Sequence, residues 1–403
     1  MKKICIYSLV LATIFTMSCG NKSSRSPVSD ELVETVRIPK IPAYGSIMWS
    51  EVFKIDGQFS AWPANNGVWH FSDDDKILVG FTKGDYNQDA RGHKISDTQR
   101  LSYLAASADG GKSWNAYDPD NYVGDPIEKT DLQETIDFHH PGFAMRVAAA
   151  AYHGTDDPEG RFYYSYDKGE SWKGPHPLGN ISKHSELEGK IITSRTDYVV
   201  LGKHECMLMI SAKPAADFHG EGGVMTDKVL CIKTRDGGKS FEIVSWIVPL
   251  SDPFRAVMPS TVKLSEKKFV TVLRRKTIDT QVCWVDAYGS EDGGETWKYL
   301  AKISDTGVMN NGNPPAIARL KGGSLCTVYG NRDKRKILAR YSIDDGKTWG
   351  DEFIVRENQE DYPDADLGYP RLVCGNDGSL IAIYYWVGKD NPEQYIESAI
   401  WTP

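Results

Sequence analysis

Five octapeptides of one pattern constrain this chain more than any other feature. They are Ser107-Ala-Asp-Gly-Gly-Lys-Ser-Trp114, Ser165-Tyr-Asp-Lys-Gly-Glu-Ser-Trp172, Thr234-Arg-Asp-Gly-Gly-Lys-Ser-Phe241, Ser290-Glu-Asp-Gly-Gly-Glu-Thr-Trp297 and Ser342-Ile-Asp-Asp-Gly-Lys-Thr-Trp349, spaced 52 to 69 residues apart. A period in this range means repeated supersecondary units. In each box the hydroxyl and the Asp carboxylate can bond nearby backbone groups, and the Gly supplies the positive φ of a tight turn. The closing aromatic starts the next strand and is large enough to fill the gap between units. The boxes therefore read as hairpin turns, since five copies of one reaction centre in a single chain have no chemical rationale.

Between boxes a second theme recurs, an apolar run, a polar or Gly-containing turn and another apolar run. It is seen at Val68–Phe81, Ser260–Leu273, Ala316–Tyr329 and Leu372–Tyr385. Each is a hairpin. A third strand leads into the box and a fourth leaves it, so each unit is the four-stranded antiparallel blade of a β-propeller. Six first strands are expected, near Val68, Ala144, Tyr198, Ser260, Ala316 and Leu372. The sixth unit has three strands of its own before the chain stops at Pro403. Its outer strand is expected from Ile47–Lys54, which closes the ring without an open sheet edge. The expected fold is thus all-β, a six-bladed propeller over residues 46–403.

The first residues read differently. Lys2 and Lys3 precede an apolar run, Ile4 to Met17, too short to span a bilayer, and Thr16-Met17-Ser18-Cys19 follows. Residues 1–19 resemble a bacterial lipoprotein signal with Cys19 as the lipidated residue, a plain secretory signal being the alternative. Residues 20–45 read as a polar tether. The expectation is an exported chain, anchored to the outer membrane by its lipid alone, facing either the periplasm or the exterior.

Five further cysteines, Cys206, Cys231, Cys283, Cys326 and Cys374, are odd in number and mostly lie in apolar runs, which argues for buried thiols over a disulfide framework. No CxxC or HxxxH spacing suggests a metal, and no cofactor is expected. A net charge of −8 argues against a nucleic-acid partner. Eleven Trp and twenty Tyr suit stacked sheets and also suit sugar binding.

Topology then separates two faces. With the boxes on the 3→4 turns, the opposite face carries the 2→3 turns and the long crossovers, where binding residues concentrate. The crossovers should bring Asn65, Asn66, His70, His139, His140, Arg146, Arg195, Asp197, Asp252, Arg255, Asn311, Asn313, Asp364, Asp366, Tyr369 and Arg371 to that face. The 2→3 turns add Asp85, Asp89, Arg91, His93, Asp97, Asp156, Asp217, His219, Arg274, Arg275, Arg332 and Arg335. A funnel lined by arginines and carboxylates can hold a carboxylate-bearing sugar through bidentate pairs while a carboxylic acid protonates the leaving group.

Six blades with repeated boxes resemble the sialidase superfamily, and the resemblance covers nearly everything after residue 45. It implies an exo-acting glycoside hydrolase that removes a terminal acidic sugar from a glycan with an arginine triad, an acid/base Asp and a Tyr nucleophile paired with a Glu. Tyr369-Pro-Arg-Leu-Val resembles the strand carrying that Tyr. Phe269–Arg275 resembles the strand ending in one triad arginine, with Arg274 the better aligned, and Arg335–Ser342 resembles the place of another. Asp97 falls where the acid/base Asp is expected. Arg332, Arg371, Arg146, His70 and Asn66 could bind substrate from other blades, and Asp366 could serve as base near Tyr369. Two departures stand out. The family's Arg-Ile-Pro opening is missing near Asn66, the triplet Arg37-Ile-Pro39 lying before the closing strand, and no carboxylate stands near Met258 where the Glu partner is expected. A glycosidase or lyase on a uronic-acid-containing polysaccharide, or a non-catalytic glycan-binding propeller, therefore stays open beside the sialidase reading.

Overall fold

Each box ties its hairpin with the same bonds. Ser107 Oγ donates to Asp109 Oδ1 (2.8 Å) and accepts from the Gly111 N–H (2.9 Å), while the Ser113 N–H and Oγ–H donate to the two Asp109 oxygens (2.9 and 2.6 Å). The other four boxes repeat this pattern. The bonds hold the Asp109 carboxyl down at about 2 although its partial burial pushes the other way. The glycine at the fifth position of each box adopts φ between +83° and +92° and faces the preceding blade: Gly111 meets Ile381, Gly169 Leu78, Gly238 Phe162, Gly294 Met207 and Gly346 Val270. At Gly169 a Cβ would stand 2.2 Å from Leu78 Cδ2. The boxes are thus turns and inter-blade keys at once.

The computed structural model describes residues 36–403 apart from 91, 123–127, 150–156, 216–225 and 309–310, and leaves the side chains of 97–99 undescribed. The expected signal segment and Cys19 lie outside the described residues. Six sheets are present among the described residues, one for each expected blade. Blades four and five are regular, with strands Arg255–Lys263, Phe269–Lys276, Cys283–Ser290 and Lys298–Asp305, then Pro315–Arg319, Leu325–Asn331, Lys336–Ser342 and Phe353–Glu357. In blades one and three strand one is split, into Gln58–Ala61 and Gly67–Phe71, and into Lys190–Ile192 and Tyr198–Gly202. Blade six comprises Gly368–Cys374, Leu380–Gly388 and Asn391–Trp401, and Met48–Phe53 pairs antiparallel with the last of these, Trp49 opposite Ala399. The expected closing strand is therefore in place. First strands of blades four, five, six and one pack on one another around the central axis.

Blade two departs from the expectation. Its strands are Ala144–Ala148, Arg161–Ser165 and Lys173–Pro177, and Ala144 stands opposite Ser165, the first box residue. Strand two occupies that register in the other box-bearing blades, where Ile77 faces Ser107, Cys206 faces Thr234, Phe269 faces Ser290 and Leu325 faces Ser342. Ala144–Ala148 is thus a second strand, and no first strand of blade two occurs among the described residues. It runs away from the box face, which corrects the placement of His139 and His140. Both lie at the box side, where the His140 ring packs 4.5 Å from Tyr166 and the neighbouring Phe138 N–H bonds the Lys203 carbonyl.

The last residues of the expected tether are fastened to the propeller. The Arg37 N–H reaches the Gly322 carbonyl (3.4 Å), and Tyr44 packs on Trp49 at 5.1 Å.

Candidate functional site

Three bulky residues, each followed by proline, take left-handed backbones at the funnel end of the blades: Trp62 (φ 62°), Met258 (φ 58°) and Tyr369 (φ 50°). The prolines Pro63, Pro259 and Pro370 hinder the ordinary helical conformation of the residue before them, and the left-handed alternative still costs a residue with a Cβ about 1–3 kcal/mol. In blades four and six the same point carries a register break, between Val257 and Ser260 and between Gly368 and Arg371. Such a bulge re-aims a side chain that the pleat would otherwise direct elsewhere. Met258 and Tyr369 consequently share one apolar cluster with Val257 and Ala64.

Arginines surround the Tyr369 phenol. Arg274, 2% exposed, donates from Nη1 to Tyr369 Oη (3.1 Å), and the Arg332 guanidinium lies 5.5 Å from the centre of the ring. Burial raises the phenol's pKa, but Arg274, Arg332 and Arg195 together outweigh it and hold Tyr369 below the ordinary tyrosine value. No carboxylate partners Arg274 among the described residues, and its buried Nε has no hydrogen-bond acceptor there. A buried cation left in this state favours an incoming anion.

Asp366 organises the opposite wall. Its Oδ1 accepts from Tyr385 Oη (2.6 Å) and Arg332 Nη2 (3.2 Å), and its Oδ2 pairs with His93 Nδ1 (2.8 Å). Burial alone would raise this carboxyl, yet the His93, Arg332 and Tyr385 bonds bring it below the usual carboxylate range. Asp366 therefore positions Arg332, whose guanidinium lies against the Tyr369 ring, and Tyr385, whose ring centre lies 6.1 Å from that of Tyr369. His93 stands edge-on to Trp62 at 4.8 Å.

Other candidates are held by partners of their own. Arg335, itself left-handed at φ 54°, turns its Nε to the Tyr362 carbonyl, so Arg332 and not Arg335 represents blade five at the phenol. Arg371 crosses to the Ala64 and Thr196 carbonyls (2.7 and 2.8 Å). Arg146 donates to Asn66 (2.8 Å) with its guanidinium 4.2 Å from the centre of the Tyr122 ring, and Arg195 is held by Asn65 (2.7 Å). Asn313 accepts the Tyr369 N–H (2.9 Å) and so fixes the backbone of the bulge. His70 lies near the other end of its strand, paired with Asp75 in the 1→2 turn (2.6 Å), and lines the central channel, not the funnel. Asp97 belongs to strand three of blade one (Ile95–Ser107) near its funnel end, but its side chain lies outside the described residues. Arg91, Asp156, Asp217 and His219 are also outside them.

A family model described as a BNR repeat-like domain matches residues 147–382, more than half of the chain. The chain belongs to the family of BNR repeat-like domains. No curated protein matches this BNR propeller in sequence. Among solved structures, a protein of unknown function from Dyadobacter fermentans superposes with TM-score 0.64 at 17% identity over 88% of this chain and 98% of that one. The GH93 alpha-L-arabinofuranosidase of Fusarium graminearum, in complex with arabinobiose, gives 0.53 at 14% over 88% and 97%. The intramolecular trans-sialidase of Ruminococcus gnavus, in complex with oseltamivir carboxylate, gives 0.50 at 11% over 84% and 94%. At these identities what is shared is the fold, one that glycoside hydrolases of two kinds use.

Sequence reasoning overlooked Trp62 and Tyr385 at the BNR propeller's funnel. The signal for Trp62 was the recurrence of a bulky residue before proline, Trp62-Pro63, Met258-Pro259 and Tyr369-Pro370. Tyr385 sits in an unbroken apolar run, Leu380–Val387, in which nothing distinguishes it from core.

Proposed function

We propose that this BNR propeller is an exo-acting glycoside hydrolase that takes a terminal, carboxylate-bearing sugar of the sialic acid type from a glycan. The observation that carries the reading is Arg274, buried, unmatched by any described carboxylate, and bonded to the phenol of Tyr369. In this reading Arg274 and Arg332 clamp the sugar carboxylate and the Tyr369 phenolate attacks the anomeric carbon. Asp97 protonates the departing oxygen and later deprotonates the water that releases the sugar. Arginines lower the phenol's pKa here, standing in for the carboxylate base that the superfamily places opposite the Tyr. Export through the N-terminal signal and anchoring through Cys19 belong to the same proposal and would bring the enzyme to its glycan.

Hydrolysis of a methylumbelliferyl sialoside tests it. Wild-type protein should release the fluorophore, and Tyr369→Phe and Asp97→Ala should each lower kcat/KM by about 10²-fold or more. Full activity in both variants overturns the roles given to these residues.

Met258 favours a second reading. With a thioether where the superfamily has a carboxylate, the Tyr369 phenolate could instead remove the C5 proton of a uronic acid. Arg274 would neutralise the uronate, and the leaving oxygen would depart from C4 with a proton supplied by Asp97. That elimination gives an unsaturated uronate with its own ultraviolet absorbance, which a hydrolase acting on the same polysaccharide does not produce.

A further inference from the structure

Exposed apolar side chains gather on one flank of blade four. Val282 (41% exposed), Tyr299 (55%) and Phe254 (36%) border a cavity of about 650 Å³, within the range of about 300–1,000 Å³ typical of small-molecule sites. The fourth strand of blade three (Glu242–Trp246) is three residues shorter than that of blade four (Lys298–Asp305), and the crossover from Pro249 to Phe254 forms the facing wall. Alternate residues of Cys283–Ser290 look into this space, so Trp284, Asp286 and Tyr288 share one face. Arg275 points here because it follows Arg274 in the strand, and the pleat sends the two to opposite sides.

The walls are aromatic and the floor is polar. Phe254 and Trp284 meet edge-to-face at 5.4 Å, and Tyr288 and Tyr299 at 5.7 Å. Arg275, 1% exposed, holds both oxygens of Asp252 (2.7 and 2.8 Å), and its Nε lies 3.4 Å from Asp286. That Nε makes no well-aligned hydrogen bond among the described residues. Each cation here has a carboxylate neighbour, Arg275 two of them and Lys302 the side chain of Asp305 (2.7 Å). An anion would find no unmatched charge, whereas hydroxyl groups would find carboxylate acceptors beside aromatic faces that accept C–H surface.

We infer that this flank of blade four is a second carbohydrate-binding site, distinct from the Tyr369 funnel, that takes uncharged sugar units of a glycan chain. Tyr299 and Phe254 stack on the rings, and Asp252 and Asp286 accept hydroxyl hydrogens. The inference does not rest on the reaction proposed for the funnel.

Xylohexaose, cellohexaose, mannohexaose and arabinohexaose, with a galacturonic acid hexamer as the charged control, test it by calorimetric titration and by the emission of Trp284 and Trp297. At least one neutral hexasaccharide should bind. Tyr299→Ala and Phe254→Ala should each weaken it about tenfold or more, and Tyr369→Phe should leave it unchanged. Both alanine variants replace exposed side chains, and circular dichroism checks that they fold. Absence of binding by every neutral probe, binding insensitive to both alanine substitutions, loss of binding in Tyr369→Phe, or preference for the charged hexamer would each overturn the inference.

Discussion

At the scale of single residues, the site is built from side chains whose ionisation the protein has moved. Tyr369 owes its lowered pKa to Arg274 first among its neighbours. Arg274→Gln should therefore raise the phenol toward the ordinary tyrosine value of about 10, seen as an upward move of the phenolate step in ultraviolet titration. The limb of kcat/KM that rises with pH should move with it. Asp197 shows the opposite displacement. Burial pushes it up to about 6 against the Thr261 bonds and the nearby Arg371. Because its pKa is higher folded than unfolded, the native state carries no penalty below about pH 4, loses stability between about pH 4 and 6, and bears the full cost above. A shift of this size corresponds to about 3 kcal/mol. Asp197→Asn keeps an acceptor for the Thr261 N–H, so its stability relative to wild type should rise across that window in denaturant unfolding, and a pH-independent difference would refute the assignment. The sequence placed Tyr369 and Arg274 correctly at the funnel end of their strands, because strand ends can be counted from the boxes. It could not separate Arg332 from Arg335. Both follow Asn331 within four residues, and the left-handed turn at Arg335 that swings its side chain toward Tyr362 leaves no compositional trace.

At the scale of elements, the boxes fasten neighbours as well as turns. Gly169→Ala must place a Cβ against Leu78 while holding φ at +88°, so it should destabilise by at least about 1–3 kcal/mol, measured as a lowered midpoint in urea. Asp292→Ala removes the acceptor for Ser290 Oγ and for the Thr296 N–H and Oγ–H. It should cost about 1–3 kcal/mol without changing the rate constants of the funnel, which lies on the opposite face. The blade-two strand shows where pattern reading stops. A mostly apolar stretch such as Ala144–Ala149, interrupted by Arg146, fits strand one or strand two equally well. Only its register opposite Ser165 reveals its direction, and with it the side on which His139 and His140 emerge.

At the scale of the whole molecule, no disulfide links the blades among the described residues. Cys206, Cys231, Cys283, Cys326 and Cys374 are all free thiols, and burial lifts Cys206, Cys231 and Cys326 far above the usual thiol pKa. The melting temperature should be the same with and without reductant, and a drop under reduction would contradict it. The number of blades and the closing strand were legible in the sequence because both follow from repetition. The flank of blade four was not, since an unequal pair of neighbouring strands becomes visible only when the blades stand side by side.

Pairing of Met48–Phe53 with Asn391–Trp401 joins segments separated by nearly the full length of the fold. During synthesis the first strand is made when its partner does not yet exist, and closing so long a loop carries a large entropic cost. Until the last residues arrive, blade six has no third strand and Met48–Phe53 is an unpaired edge, the kind of surface on which chains associate with one another. Any chain shortened at its C-terminus would keep that vulnerability permanently, so loss of a few terminal residues should show first as aggregation and only second as lost activity.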